Sequence, residues 1–267
     1  MAKSRAGMTA KAPAKRAKSP LKKLDKPLKK LDKAVIEKRP TRRYRAAVFQ
    51  AYVLIASAGF VVLALAARTV PYFSIDLRVT RALQSYHGPI LANLMFAISW
   101  IGFMPQSLAI GLTPVLILLF LGLRWEAMVT LLAASSVAIS ALVKALVARP
   151  RPGIDLVDVF HELTTSSFPS GHVLSTTSLC GFLAFLIYTL LKPSRTRTAL
   201  LVFFGLLIAL MGPSRIYQGQ HWFSDVMGAY LLGSLWVALA IRIYRWGKPR
   251  FFVHQPVAPE TAAAQTS

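Results

Sequence analysis

The sequence predicts an all-α polytopic membrane bundle, six transmembrane helices with an interfacial helix between the first two. Three observations carry this. Hydrophobic residues make up 55% of the 267 residues and charged residues only 16%. The apolar residues gather into runs of the length a bilayer core demands, about 17–25 residues for a helix crossing roughly 30 Å. The basic residues are segregated: residues 1–45 hold 17 of the 32 Lys and Arg, so the net charge of +22 belongs largely to one tail. A soluble nucleic-acid binder spreads such charge over a folded surface. Here the charge reads as a topology signal and a contact with anionic lipid headgroups, and no nucleic-acid partner is expected.

Residues 1–45 are rich in Lys, Arg, Ala and Pro and cannot bury enough surface to fold alone, so we expect a disordered cytoplasmic tail. It repeats Leu-Lys-Lys-Leu-Asp-Lys at 21–26 and 28–33. A helix there would align Leu21, Leu24, Leu28 and Leu31 for an anionic lipid surface, but Pro27 interrupts it. Residues 46–246 read as the membrane domain and 247–267 as a second disordered cytoplasmic tail. Apolar runs occur near 47–67, 105–123, 127–148, 171–191, 198–214 and 225–245. The first run and its basic flank are both too long for a cleaved signal, so we read it as a retained helix. Stretch 75–103 is apolar but broken by Arg78, Arg81, His87, Gly88, Pro89 and Asn93, which suggests an interfacial or partly re-entrant helix. Cys180, the single cysteine, has no intrachain disulfide partner.

With the N-terminus inside, Arg124, then Lys192, Arg195 and Arg197, then Arg242, Arg245, Lys248 and Arg250 all fall on the inner side, as the positive-inside bias requires. Arg149, Arg151 and Arg215 fall on the outer side, against the bias, which points to a purpose other than topology.

Those outer segments hold most of the polar chemistry. Lys144 is followed after six residues by Arg151-Pro152, the fourth span opens at Pro169-Ser170-Gly171-His172, and Ser214-Arg215 is followed by His221 and Asp225. Lys144, Arg151 and Arg215 offer three cations, two of them guanidinium forks that match phosphate oxygens. Ser170 and Gly171 stand at a helix start, where free amides and the dipole favour an anion. His221 and Asp225, four apart, share a face if the sixth helix has begun, so the carboxylate can accept from one ring nitrogen and leave the other to attack phosphorus. His172 is placed to protonate a leaving alkoxide and later to activate water. Each segment alone has a plain reading: Lys144 and Arg151 snorkelling, Ser170-Gly171 capping, His221-Asp225 a structural pair. The three together do not.

Lys-x6-Arg-Pro, Pro-Ser-Gly-His and Ser-Arg-x5-His-x3-Asp, in this order, resemble the three signature motifs of the type 2 phosphatidic acid phosphatase superfamily, with every fixed residue present. The resemblance covers roughly residues 47–245. It implies a six-helix membrane fold, no metal or other cofactor, and hydrolysis of a lipid phosphate through a phosphohistidine. It makes His221 the nucleophile, Asp225 its orienting partner and His172 the acid/base. Lys144, Arg151, Ser170, Gly171 and Arg215 become the phosphate-binding set. The substrate is left open among phosphatidate, phosphatidylglycerol phosphate, an isoprenoid diphosphate and a lipid A phosphate. Apart from the resemblance, the compact chain without a recognisable eukaryotic sorting signal suggests a bacterial inner membrane, and the loop charges put both termini in the cytoplasm and the site on the periplasmic face.

Two other functions fit parts of this pattern: a histidine-based lipid phosphotransferase, and a transporter or scaffold that only binds lipid phosphates. The intact His172, His221 and Asp225 argue against the latter, as does the lack of a repeat between the halves of the membrane region. Asp155, Asp158, His161 and Glu162 cluster in an outer loop and read as a solvated face rather than a cation site.

Overall fold

The computed structural model describes residues 42–251, and among these every regular element is a helix. In chain order they are α1 (Arg42–Thr69), α2 (Ser74–Gln84), α3 (Pro89–Trp100), α4 (Gln106–Phe120), α5 (Arg124–Ala134), α6 (Ser136–Val147), α7 (Gly171–Leu190), α8 (Arg195–Tyr217) and α9 (Phe223–Phe251). Helix thus takes in residues 42–45 and 247–251, the inner ends of the two segments expected to be tails; the rest of both tails, with the Leu-Lys-Lys-Leu-Asp-Lys repeat, lies outside the described residues.

Among the described residues, five helical stretches are long and apolar enough to cross a membrane: Arg43–Thr69, Arg124–Val147, Gly171–Leu190, Arg195–Tyr217 and Phe223–Pro249. The second is α5 and α6 joined at Ser135, whose hydroxyl donates to Leu132 O. The run expected as a further span near 105–123 is α4, with 15 residues and an internal Pro114. At 1.5 Å per residue it reaches about 22 Å, short of a 30 Å core. The stretch 75–103 resolves into α2 and α3. Asp76 in the first turn of α2 accepts from Phe73 N at 2.9 Å, and Pro89 opens α3, where its missing amide hydrogen is harmless.

α7 is the hub, packed against α5, α6, α8 and α9. Its apolar side chains occur all round, as a helix enclosed by others requires. Toward its start, Val173 and Leu174 pack with Met95, Ile98, Met211, Ile216, Tyr217, Val226 and Ala229. Toward its end, Phe182 and Leu186 pack with Trp125, Val129, Ala133, Ala240 and Tyr244. At that second end Glu126, 3% exposed, takes Lys248 and the Tyr244 hydroxyl on its carboxylate.

Candidate active site

The end of α6, the start of α7, the end of α8 and the start of α9 meet at one end of the helices. Backbone bonds bind the segments between them: Ser167 N donates to Arg149 O at 2.8 Å, and Ser170 N to Asp225 O at 3.3 Å. Ala148 takes the left-handed conformation (φ 51°) and ends α6, which turns Arg149 inward and Arg151 across to the α8–α9 turn. Gly219 in that turn also has positive φ (64°), and a Cβ there would stand 2.0 Å from Asp158 O, so the loop after Arg151 closes tightly onto it.

His221 is buried at 2% exposure and lies two residues before α9 begins, so the condition for sharing a helix face with Asp225 is not met. Its Nε2 is 3.3 Å from Arg151 Nη1. Its Nδ1 is 3.6 Å from Asp225 Oδ2, facing the carboxylate beyond hydrogen-bond distance. The reason is that Asp225 is already engaged. Oδ2 accepts from Ser167 Oγ and, at 2.8 Å, from Trp222 N, and Oδ1 accepts from Arg149 Nη1 at 2.6 Å.

The expected cations surround the imidazole. Lys144 Nζ donates to Ser166 O. Arg151 donates to Thr165 O at 2.6 Å and to Gln220 O at 2.5 Å. Arg215, fully buried, donates to Ser99 Oγ and Gln220 Oε1. Burial, reinforced by the positive charges of Arg151, Lys144 and Arg215, holds the His221 imidazole well below the ordinary histidine range, against a smaller opposing effect of the Ser167 backbone. It is therefore neutral at physiological pH. Burial also lowers Arg151, opposed by the charge of Asp225.

His172 stands in the first turn of α7 within electrostatic reach of the same three cations and of His221. Its ring is edge-on to Phe103, centroids 4.9 Å apart, and Arg215 lies over that same phenyl ring at 5.1 Å. Several polar atoms here are buried with no hydrogen-bond partner: Ser170 Oγ, His172 Nε2, Arg215 Nε, Gln220 Nε2 and His221 Nδ1. The first four, with the free first-turn amides that follow Ser170, form donors suited to an oxyanion, while His221 Nδ1 faces Asp225. Beside them, Arg151 and Gln220 line a cavity of about 310 Å³ whose other walls come from residues 152–163 and Gly219. His161, Asp155 and Glu162 face this cavity, and among the described residues no three His, Cys, Asp or Glu are grouped to hold a metal ion.

The seven other residues expected from the sequence therefore gather at the same end of the helices as His221. The PAP2 superfamily model matches residues 125–249, which contain all of them. The chain carries a PAP2-superfamily domain. It is 29% identical over 182 residues to phosphatidylglycerophosphatase B of Bacillus subtilis (strain 168), covering 66% of this chain and 86% of that protein. In fold it is similar to the crystal structure of the first transmembrane PAP2 type phosphatidylglycerolphosphate phosphatase from Bacillus subtilis, with a TM-score of 0.64 and 24% identity over 74% of this chain and 98% of that one. Aquifex aeolicus LpxE is more distant, with a TM-score of 0.51 and 23% identity over 64% of this chain and 96% of that one. This domain and its phosphatase relatives indicate a phosphatase, carried on helices long and apolar enough to cross a membrane.

Several PAP2-site neighbours lie outside the three motifs or at their variable positions. Ser99 and Gln220 fix Arg215, and Ser167 and Arg149 fix Asp225. Gly102 makes room for His172: a Cβ there would lie 2.0 Å from the ring. The sequence offered one sign of these, Arg149 as an arginine on the wrong side of the charge bias.

Proposed function

We propose that this protein hydrolyses a lipid phosphate by covalent catalysis at His221. The observation that carries the reading is the convergence of Lys144, Arg151 and Arg215 on a buried, neutral imidazole whose Nδ1 faces a carboxylate. Three cations and the α7 amides hold the phosphoryl oxygens and stabilise the charge spread over them in the transition state. His221 Nε2 attacks phosphorus, an N–P bond forms, and the P–O bond to the lipid breaks as His172 gives its proton to the departing alkoxide. Water then attacks phosphorus, His172 takes its proton, the N–P bond breaks, and inorganic phosphate leaves. Lys144, Arg151, Ser170, Gly171 and Arg215 bind, and Asp225 orients His221.

Among candidate substrates, phosphatidylglycerol phosphate stands first, because it is the one named for the relative that this chain matches across most of its length. Phosphatidate, isoprenoid diphosphates and lipid A phosphates follow. The topology we infer has six crossings, with α4 and its flanking apolar turns making the second and α2–α3 at the interface. Both termini are cytoplasmic, the tails 1–45 and 247–267 flank the membrane domain 46–246, and the basic tail rests on anionic headgroups. Support comes from charge: Arg124, Lys192, Arg195, Arg197, Arg245 and Lys248 all belong to the end opposite His221. The site then opens outward, to the periplasm of a bacterial inner membrane.

The test is phosphate release by detergent-purified protein from these four lipids, with His221→Ala alongside. Release from one or two of them, abolished in the variant, is the expected result. Release that survives His221→Ala overturns the mechanism. Turnover that requires an acceptor lipid assigns the site to phosphotransfer instead.

A further inference from the structure

Asp225 does not stand alone behind His221. Arg149 is 1% exposed, and each nitrogen of its guanidinium is used. Nε donates to Pro71 O at 3.0 Å, Nη1 to Asp225 Oδ1 at 2.6 Å and Ser224 Oγ at 2.7 Å, and Nη2 to Asp76 Oδ2 at 2.9 Å. The Phe73 ring lies against it at 5.1 Å. Asp76, on α2 and fully buried, accepts from Ser224 N at 2.7 Å, Ser224 Oγ at 2.8 Å and Phe73 N at 2.9 Å besides Arg149. The result is a closed line of three charges, Asp76–Arg149–Asp225, with every carboxylate oxygen satisfied.

We propose that Asp76, acting through Arg149, is a positioning residue for His221, setting both the orientation of Asp225 and the negative charge it presents to the imidazole. The proposal rests on His221 being the nucleophile. Its physical basis is charge balance in a place with little water. Asp225 paired with Arg149 alone is a neutral dipole whose positive end competes with His221 for the carboxylate. Adding Asp76 returns the line to a net single negative charge, presented at His221 Nδ1, whereas Arg151 stands at Nε2. No member of the line other than Asp225 faces the imidazole, so substrate affinity is not its role. The groups that act on His221 are Arg151 at Nε2, Asp225 at Nδ1, and Lys144, Arg215, His172 and the Ser167 backbone within electrostatic reach.

The test is Asp76→Asn in the full chain, which keeps the shape and removes the charge. We expect kcat to fall at least tenfold with KM within about twofold. In the Asp225→Asn background the same change should add no further loss, since a relay broken at its last member is insensitive to its first. Nitrogen-15 spectra of labelled histidine, with His221→Ala for assignment, should show the His221 ring resonances moved in Asp76→Asn. Unchanged kcat, a rise in KM instead, losses that multiply in the double variant, or an unmoved His221 ring would each overturn the proposal. Should Asp76→Asn fail to fold, Ser224→Ala removes only the hydroxyl shared by Arg149 and Asp76 and carries the same kcat-only expectation at several-fold. If the unaltered protein releases phosphate from no lipid, the functional reading fails by itself, and the ring spectra still decide for or against the relay.

Discussion

Gly102 offers a test of the His172 assignment from outside the motifs. It lies in the turn between α3 and α4, and a Cβ added there would stand 2.0 Å from His172 Cδ2, 2.6 Å from Cγ and 2.8 Å from Nε2. Ordinary contact begins at 3.4 Å, so in Gly102→Ala the ring must retreat by about 1.4 Å (3.4 minus 2.0). Phe103 stands edge-on to that ring at a centroid distance of 4.9 Å, which limits where it can go. Misplacing a catalytic group by about 1 Å costs roughly 100-fold in rate, equivalent to about 2.7 kcal/mol of transition-state stabilisation. We therefore expect kcat/KM for phosphate release to fall about 100-fold. Overpacking also costs about 1–3 kcal/mol of stability, so the assay belongs at a temperature where the variant is shown to be folded. A folded Gly102→Ala protein whose kcat/KM stays within threefold of the parent refutes His172 as the acid at this position.

At the other end of the helices, Lys248→Met leaves the buried Glu126 carboxylate with only the Tyr244 hydroxyl at 3.0 Å, and should lower unfolding stability by about 1–3 kcal/mol, less than a fully enclosed pair because Lys248 is partly exposed. Its kcat should not change, since 26 residues of α9 (223 to 248), roughly 37 Å along the axis, separate it from the site; a thermal melt and a turnover assay on one preparation check both. The His221 imidazole must be neutral to attack, and its protonation is displaced well below the usual 6.5. As pH falls, kcat/KM should therefore hold through 6.5 and decline only further into acid; an acid limb centred at 6.5 or above contradicts this. Because Lys144, Arg151 and Arg215 supply the positive charge, phosphate release should persist after EDTA treatment, and inhibition reversed by one divalent ion alone would contradict it.

The site residues were legible because their chemistry is packed into short segments. Two of the three motifs join a helix end to the loop beside it, and Pro169-Ser170-Gly171-His172 begins one, so spacing along the chain already placed them at one end. The supporting residues were not legible for the opposite reason. Asp76 and Arg149 are 73 residues apart, and Ser99 and Arg215 are 116 apart, pairings that no local pattern announces. A weaker signal was present. Asp76 is the one acidic residue between Glu37 and Glu126, and a lone carboxylate in a long apolar region is expensive unless it is paired. The span count was harder. Composition makes 105–123 look like its neighbours, but the backbone turns at Pro105 and again after Phe120, and hydropathy alone does not mark where a helix stops.

The electrostatics of the site pose a conflict that substrate resolves. A nucleophilic imidazole must be neutral, and burial among Arg151, Lys144 and Arg215 ensures that. The same cations withdraw electron density from it, which weakens its attack. A phosphate dianion seated among them cancels much of that field, and in a low-dielectric enclosure such cancellation acts strongly over a few ångströms. On the proposed mechanism His221 therefore gains basicity only when a phosphoryl group is in place, and Asp225, with its charge maintained by Arg149 and Asp76, then stabilises the positive charge that develops on the ring as the N–P bond forms. On that mechanism the free site is kept unreactive by its own binding groups, and the substrate's charge completes the nucleophile.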